Sequence, residues 1–428
     1  MMALGFAFLL ISPTFLHAQS KTKDDWPEFR GPSAQGHSLQ TGLPLTWFET
    51  HSEKNNILWK TRIPGRGWSS PVVAGNEIWL TTSDVKKGTL SVICVDRESG
   101  TIEKNIEVFR QYPLGRIHTK NSHASPTPII EGDKIYAHFG SHITVCLNRD
   151  GEILWKTQLK YIHQHGPAGS PILVDDLLII NCDGNSFSFY EPNKRISGIK
   201  YLQSVVALDK NTGKIRWQKS RIKGRHAYCT CLLIEVDGIK QVISPGGDQV
   251  VAYDPQSGDE IWRCRYLGYS VVPRPVFAHG LVFMSTGYDN PVMLAIRPDG
   301  HGDVTSSHIA WSQKRIAPRN VSPLVVGEQL YLVTDDGILS CLTAKTGNIL
   351  WRKRLRGKFS ASPVFVDGRI YLTSEAGKTY VIQPGAKYRQ LAVNRIADRV
   401  LASMAVTGKS FILRSEKFLY RIETSKKQ

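Results

Sequence analysis

Thirteen histidines, seven cysteines and 37 acidic residues are the groups in this 428-residue chain that could do chemistry, and their spacing limits what that chemistry is. His163 and His165 in YIHQHGPAGSP alternate like a pair of metal ligands, yet an HxH step supplies two nitrogens where a stable centre needs three or four donors. The nearest approach of two cysteines is Cys229-Thr230-Cys231. There is no CxxC pair, no adjacent Cys-Cys, no HExxH, no GxxxxGK[ST] phosphate loop and no kinase-type HRD and DFG set. We therefore expect no catalytic residue, no resident metal and no resident cofactor. Because seven is odd, the cysteines cannot all pair within the chain, and the disulfide state of Cys182, Cys229, Cys231 and Cys264 stays open.

What the spacing does single out is a set of basic and aromatic residues, each shortly before a Ser-Pro step or its equivalent. Arg66, Trp68, His123, His165 and His226 belong to it, and so do Tyr228, Arg274, Arg319, Asn320 and Lys358. A formal net charge of +17 favours anionic partners: lipid head groups, acidic polysaccharide, nucleic acid or a carboxylated ligand. No Lys/Arg-rich block is interleaved with aromatics, which argues against a dedicated nucleic-acid site.

The elements that position these residues follow from a repeat. SASPVFVDGRIYLTSEAGKTYVI at 360–382 has the same pattern as NVSPLVVGEQLYLVTDDGILSCL at 320–342. Downstream comes a second line, a small residue, an apolar one, a polar turn with Gly and then Trp: ALDKNTGKIRW at 207–217, AYDPQSGDEIW at 252–262 and CLTAKTGNILW at 341–351. Cys94, Cys146 and Cys341 stand where other copies have Ala and are small core fillers. Alternation within each copy has period two with β-branched and aromatic enrichment, so the runs are strands. VDG, VGE and VAGN turn the first strand into the second, and AKTGN and KNTGK turn the third into the fourth. One copy is thus four antiparallel strands, the unit of a propeller blade.

First-strand steps fall at Ser70-Pro71, Ser125-Pro126, Ser170-Pro171, Thr230-Cys231, Arg274-Pro275, Ser322-Pro323, Ser362-Pro363 and Ser403-Met404, which makes eight blades. The last copy has three strands only, and an open blade would leave an unpaired edge. NNILWKTRI at 55–63 has the fourth-strand pattern with no first strand before it. The expected fold is all-β, an eight-bladed β-propeller over residues 55–424 closed by the N-terminal strand pairing with the C-terminal blade. Trp59, Trp155, Trp217, Trp262, Trp311 and Trp351 are expected between blades. Residues 1–18 read as a secretory signal peptide, 19–54 as an extension whose Trp26 and Phe29 pack on the propeller, 183–203 as a lid over the mouth, and 425–428 as a tail. No other segment is long and apolar enough to cross a bilayer.

At Ala207–Trp217 and Ala252–Trp262 the chain resembles the PQQ-type propeller repeat, A-x-D-x-x-T-G-x-x-x-W. That repeat builds eight-bladed pyrroloquinoline-quinone dehydrogenases and also the non-enzymatic lipoprotein that scaffolds outer-membrane-barrel assembly. DWPEFRGPSAQGHS, PGRGWSSPVV at 64–73 and RPDGHGDVTSSHIAW at 297–311 are similar to secreted PQQ-like repeat proteins of the planctomycete type. The resemblance implies a periplasmic or secreted propeller; with the basic rim, the chain is expected to be a monomeric binding or scaffold protein for a cell-envelope protein or an anionic ligand. The alternative it keeps open is a quinoprotein-like oxidoreductase using PQQ and Ca²⁺, although the adjacent-cysteine roof and the CxxCH of an attached haem domain are missing.

Overall fold

The computed structural model describes residues 24–49, 55–161, 165–184, 203–221 and 225–424. The segments read as signal peptide and tail, His163, and nearly all of the lid lie outside the described residues. The described chain folds into eight antiparallel sheets, seven of four strands and one of five. In blade 1 these are Val72–Ala74, Glu77–Asp84, Thr89–Asp96 and Ile102–Arg110. Inner strands such as Leu177–Asp183 and Gln249–Tyr253 are buried at every residue, because a neighbouring blade covers each face of the sheet. Outer strands such as Ile349–Arg354 are largely exposed.

Blade 8 is closed as the edge argument requires. Its three C-terminal strands are completed by Ile57–Arg62, which pairs antiparallel with Phe418–Glu423 in the register Lys60 to Tyr420 and Arg62 to Phe418.

The two repeat lines each make one inter-blade contact. In the first, the backbone N–H of the Ser-Pro step donates to the hydroxyl at the same position of the next blade. Ser70 N reaches Thr127 Oγ1 at 3.0 Å, Thr127 N reaches Ser170 Oγ at 2.9 Å, and Ser170 N reaches Thr230 Oγ1 at 2.9 Å. The series resumes with Arg274 N to Ser322 Oγ at 3.0 Å, Ser322 N to Ser362 Oγ at 3.1 Å, and Ser362 N to Ser403 Oγ at 2.9 Å. A collar of hydroxyls thus satisfies buried amides around the axis, and the Pro that usually follows has no N–H to satisfy. The collar also corrects the second step of the repeat: Thr127-Pro128, not Ser125-Pro126, occupies it, two residues ahead of the strand Ile129–Glu131. Ser125 instead donates to Asn121 Oδ1 within the loop above.

In the second line, Trp of one blade lies against Gly of the next. A Cβ on Gly258 would sit 2.6 Å from Trp217 Cδ2, and Gly100, Gly213 and Gly347 face Trp59, Trp155 and Trp311 in the same way. The indole N–H groups of Trp59, Trp155, Trp217 and Trp311 each donate to a turn carbonyl of that next blade at 2.9 Å. The exception is Trp262, whose N–H turns inward to Gln241 Oε1 at 2.8 Å. There the 297–308 connection of blade 5 reaches back, and Gly302–Asp303 adds a fifth, parallel strand to blade 4. All seven cysteines are buried thiols.

Residues 24–49 cross the face opposite the entering loops. Trp26 exchanges backbone hydrogen bonds with Val73 of blade 1, and Pro27 accepts from Ile130 of blade 2 at 2.9 Å. The strap then passes across the axis to blade 5, where Phe277 N donates to Gln35 Oε1 at 2.7 Å. It continues along blade 7 through Gly36 and Ser38 with Phe365, and buries Trp47 beside Asn394. Glu49 finally pairs with Lys60 of the closing strand.

Candidate functional site

Entering loops and second-to-third loops meet on one face, and carboxylates hold them together. Asp248 pairs with Arg225 at 2.6 Å, and Asp335 accepts from the amides of Arg319 and Asn320 at 3.0 and 3.1 Å and from the Asn320 side chain. Glu375 accepts from Ser360 at 2.7 Å and pairs with Lys120 at 2.7 Å, which reaches it from the loop entering blade 2 across the mouth to blade 7. Burial alone would raise the Glu375 carboxyl, but Lys120, Ser360 and Arg399 hold it below the ordinary value. Asp183 is buried with Arg221 Nε 3.0 Å away in poor alignment, and desolvation drives its carboxyl up to about 6 against that guanidinium.

Inside this rim lies a cavity of about 560 Å³ with Phe29 of the strap at one end, so the strap stoppers the channel opposite the mouth. Its wall is the hydroxyl collar below and an aromatic belt above. The belt runs His118, His165, His226, Tyr269 and Tyr288, with successive ring centroids 5.5, 5.7, 5.5 and 6.1 Å apart. Tyr228 packs against both His165 and His226. Guanidinium groups cap the belt, with Arg225 4.5 Å from the Tyr269 centroid and Arg319 5.2 Å from that of Tyr288. Burial first, then His165 and Arg225, push the His226 imidazole down to about 4. His226 is therefore neutral at pH 7, and Arg225 and Arg319 place fixed guanidinium charge at the mouth.

Of the residues singled out in the sequence, Trp68, His165, Tyr228, Arg319 and Asn320 line the cavity. His226 lies behind them in the belt. Arg66 sits outside it, over the Trp68 ring at 5.0 Å and donating to Thr119 O at 3.1 Å. Lys358 is exposed beside the mouth, where its carbonyl accepts from Glu375 N. His123 is not at the rim: it is buried against His142, and desolvation first, then that neighbour, lower it to about 4. Arg274 is not there either. It occupies the collar position of blade 5 and, being long, turns away from the mouth to the strap, donating to Cys231 O at 2.9 Å and Phe29 O at 2.7 Å. Missing from that set are Lys120 and Tyr288, which belong to a long loop and a turn that break the repeat and carry no spacing signal.

The family profile described as outer membrane protein assembly factor BamB matches residues 23–190, 202–338 and 303–410. The chain belongs to this BamB family. A family relative from Legionella pneumophila (strain Paris), itself named outer membrane protein assembly factor BamB, is 23% identical over 374 residues, covering 66% of this chain and 89% of that protein. Among solved structures, BamB from Moraxella catarrhalis superposes with a TM-score of 0.60 at 13% identity, covering 87% of this chain and 99% of that one. A europium-containing methanol dehydrogenase gives 0.64 at 11% identity over 93% and 89% of the two chains. At such identities the solved structures share the fold, which serves both BamB-type and dehydrogenase proteins.

A quinoprotein centre would need oxygen donors gathered for calcium. The donor set among the described residues does not fit one: Asp335 is their one carboxylate in the cavity wall, and both its oxygens are committed to Arg319 and Asn320. Among the described residues no three His, Cys, Asp or Glu groups converge on a metal position. No helix among them is long and apolar enough to cross a membrane.

Proposed function

We propose that this chain is a non-catalytic binding propeller of the cell envelope, periplasmic or secreted, that presents its mouth face to an envelope protein or an anionic ligand. The observation that carries the reading is the division of charge at the mouth. Asp248, Asp335 and Glu375 are engaged in fastening loops, Asp248 through Arg225, while Arg319 projects over the Tyr288 ring and leaves a cationic, aromatic surface. Membership of the BamB family supports a scaffold, since the named relatives are assembly factors of the outer membrane. The alternative, a PQQ- and calcium-dependent oxidoreductase, is less favoured because the described residues gather no donor set for the ion.

Photo-crosslinking residues placed at Leu267 and Tyr288, 88% and 50% exposed on the mouth face, test this directly in cells. Both are expected to trap the same envelope protein, and the same probe at Ile239 on the opposite face is expected to trap none. Dye reduction by the purified chain supplied with PQQ, Ca²⁺ and an alcohol, without a discrete adduct from either mouth position, would replace the scaffold with the enzyme.

A further inference from the structure

The collar hydroxyls have a second half. Each oxygen that takes an amide N–H from the preceding blade still carries its own proton, and a hydroxyl is a donor as well as an acceptor. None of the six accepting hydroxyls, Thr127, Ser170, Thr230, Ser322, Ser362 and Ser403, donates to an acceptor among the described residues. All are at least nine-tenths buried and all line the cavity. Six hydroxyl donors on one ring, all facing the cavity, point to a ligand or solvent that accepts.

The remainder of the wall has the same bias. Arg319 contributes a cationic donor, Lys120 an ammonium whose pairing with Glu375 leaves it further N–H donors, and Asn320 an amide, while the wall's carboxylate, Asp335, is already saturated by N–H groups. Phe29 stoppers the far end, so a ligand enters and leaves by the mouth. The volume of about 560 Å³ is that of a small-molecule site.

We infer that the channel is a binding well for a small, acceptor-rich anion, carboxylated or phosphorylated, seated on the hydroxyl collar with its charge toward Lys120 and Arg319. This deepens the anionic-ligand side of the proposed function and rests on it, but it does not depend on a protein partner: the crosslinking experiment and the one below can fail separately.

The test is thermal unfolding of the purified chain in citrate, in inorganic phosphate, in glucose, and in sodium chloride of matched ionic strength. At a concentration about 100 times its Kd, a ligand bound only by the folded chain raises the midpoint by roughly 3 °C for a domain of this size. Citrate or phosphate is expected to give that shift over chloride, and whichever does so identifies the carboxylated or phosphorylated source. Arg319→Gln, at the partly exposed mouth, should weaken it, the shift being read against that variant's own unliganded midpoint. Thr230→Val, which keeps the side-chain shape but removes one collar hydroxyl, should weaken it about tenfold. Equal shifts in chloride, shifts retained by both variants, or a response to glucose alone would overturn the well as an anion site.

Discussion

The contact between Trp217 and Gly258 can be weighed by one methyl group. Gly258 has φ +71°, and a Cβ there would lie 2.6 Å from Trp217 Cδ2 and 2.7 Å from Cε3. Placing Ala in the left-handed region costs about 1–2 kcal/mol, and forcing the indole aside adds about 1–3 kcal/mol, so Gly258→Ala should lose about 2–5 kcal/mol. Gly368 separates the two terms, since it has φ +70° and nothing within 4 Å of the Cβ position. Gly368→Ala should therefore lose only the backbone share. Urea unfolding of both variants measures the difference, expected at about 1–3 kcal/mol. Trp217→Leu should destabilise the parent yet make Gly258→Ala cheaper, because the neighbour that the methyl group strikes has gone. Equal losses at Gly258 and Gly368, or strictly additive losses with Trp217→Leu, would refute the idea that Trp over Gly is what holds adjacent blades.

Three further outcomes follow from other contacts. His123 and His226 are held neutral down to about pH 4, against 6.5 in an unfolded chain, so the unfolded state takes up protons first as the pH falls. Stability should drop between pH 6.5 and 4, by about 2 kcal/mol per histidine at pH 5, with partial exposure reducing the share of His226; His123→Asn should flatten the urea midpoint against pH over that window. Trp59→Ala removes the indole bond to Arg97 O and should raise amide hydrogen exchange in blades 8 and 1 while blades 4 and 5 keep their protection. Arg274→Leu strips charged donors from Phe29 O and Cys231 O and should cost about 2–4 kcal/mol in urea unfolding, with faster proteolysis of residues 24–49.

Much of the fold is legible in the sequence because each repeated letter answers to a neighbour. Ser and Thr recur where an amide of the preceding blade needs an acceptor, Gly recurs where an indole leaves no room for a Cβ, and the orphan strand at 57–62 finds the orphan edge at 418–423. The one misread step, at blade 2, had two Xaa-Pro pairs in succession, Ser125-Pro126 and Thr127-Pro128, and pattern alone does not say which hydroxyl faces the axis. The amide of Ser70 decides it.

The mouth is less legible for the converse reason. Its loops are bound by no repeat, so whether an entering-loop cation reaches the cavity depends on what the chain does between the blades. Arg319 and Arg274 both lie shortly before or at a first-strand step, yet one extends over Tyr288 at the rim and the other is drawn to a carbonyl of the strap. The difference follows from position. Arg274 stands at the collar itself, where every other blade has a short hydroxyl, and a guanidinium at that depth is stable only with acceptors close by, which Phe29 O and Cys231 O supply. The extension is therefore more than a leader into the first blade. By giving Arg274 an acceptor at Phe29 O it closes one end of the channel, and the closed end is what makes the collar a well instead of a pore.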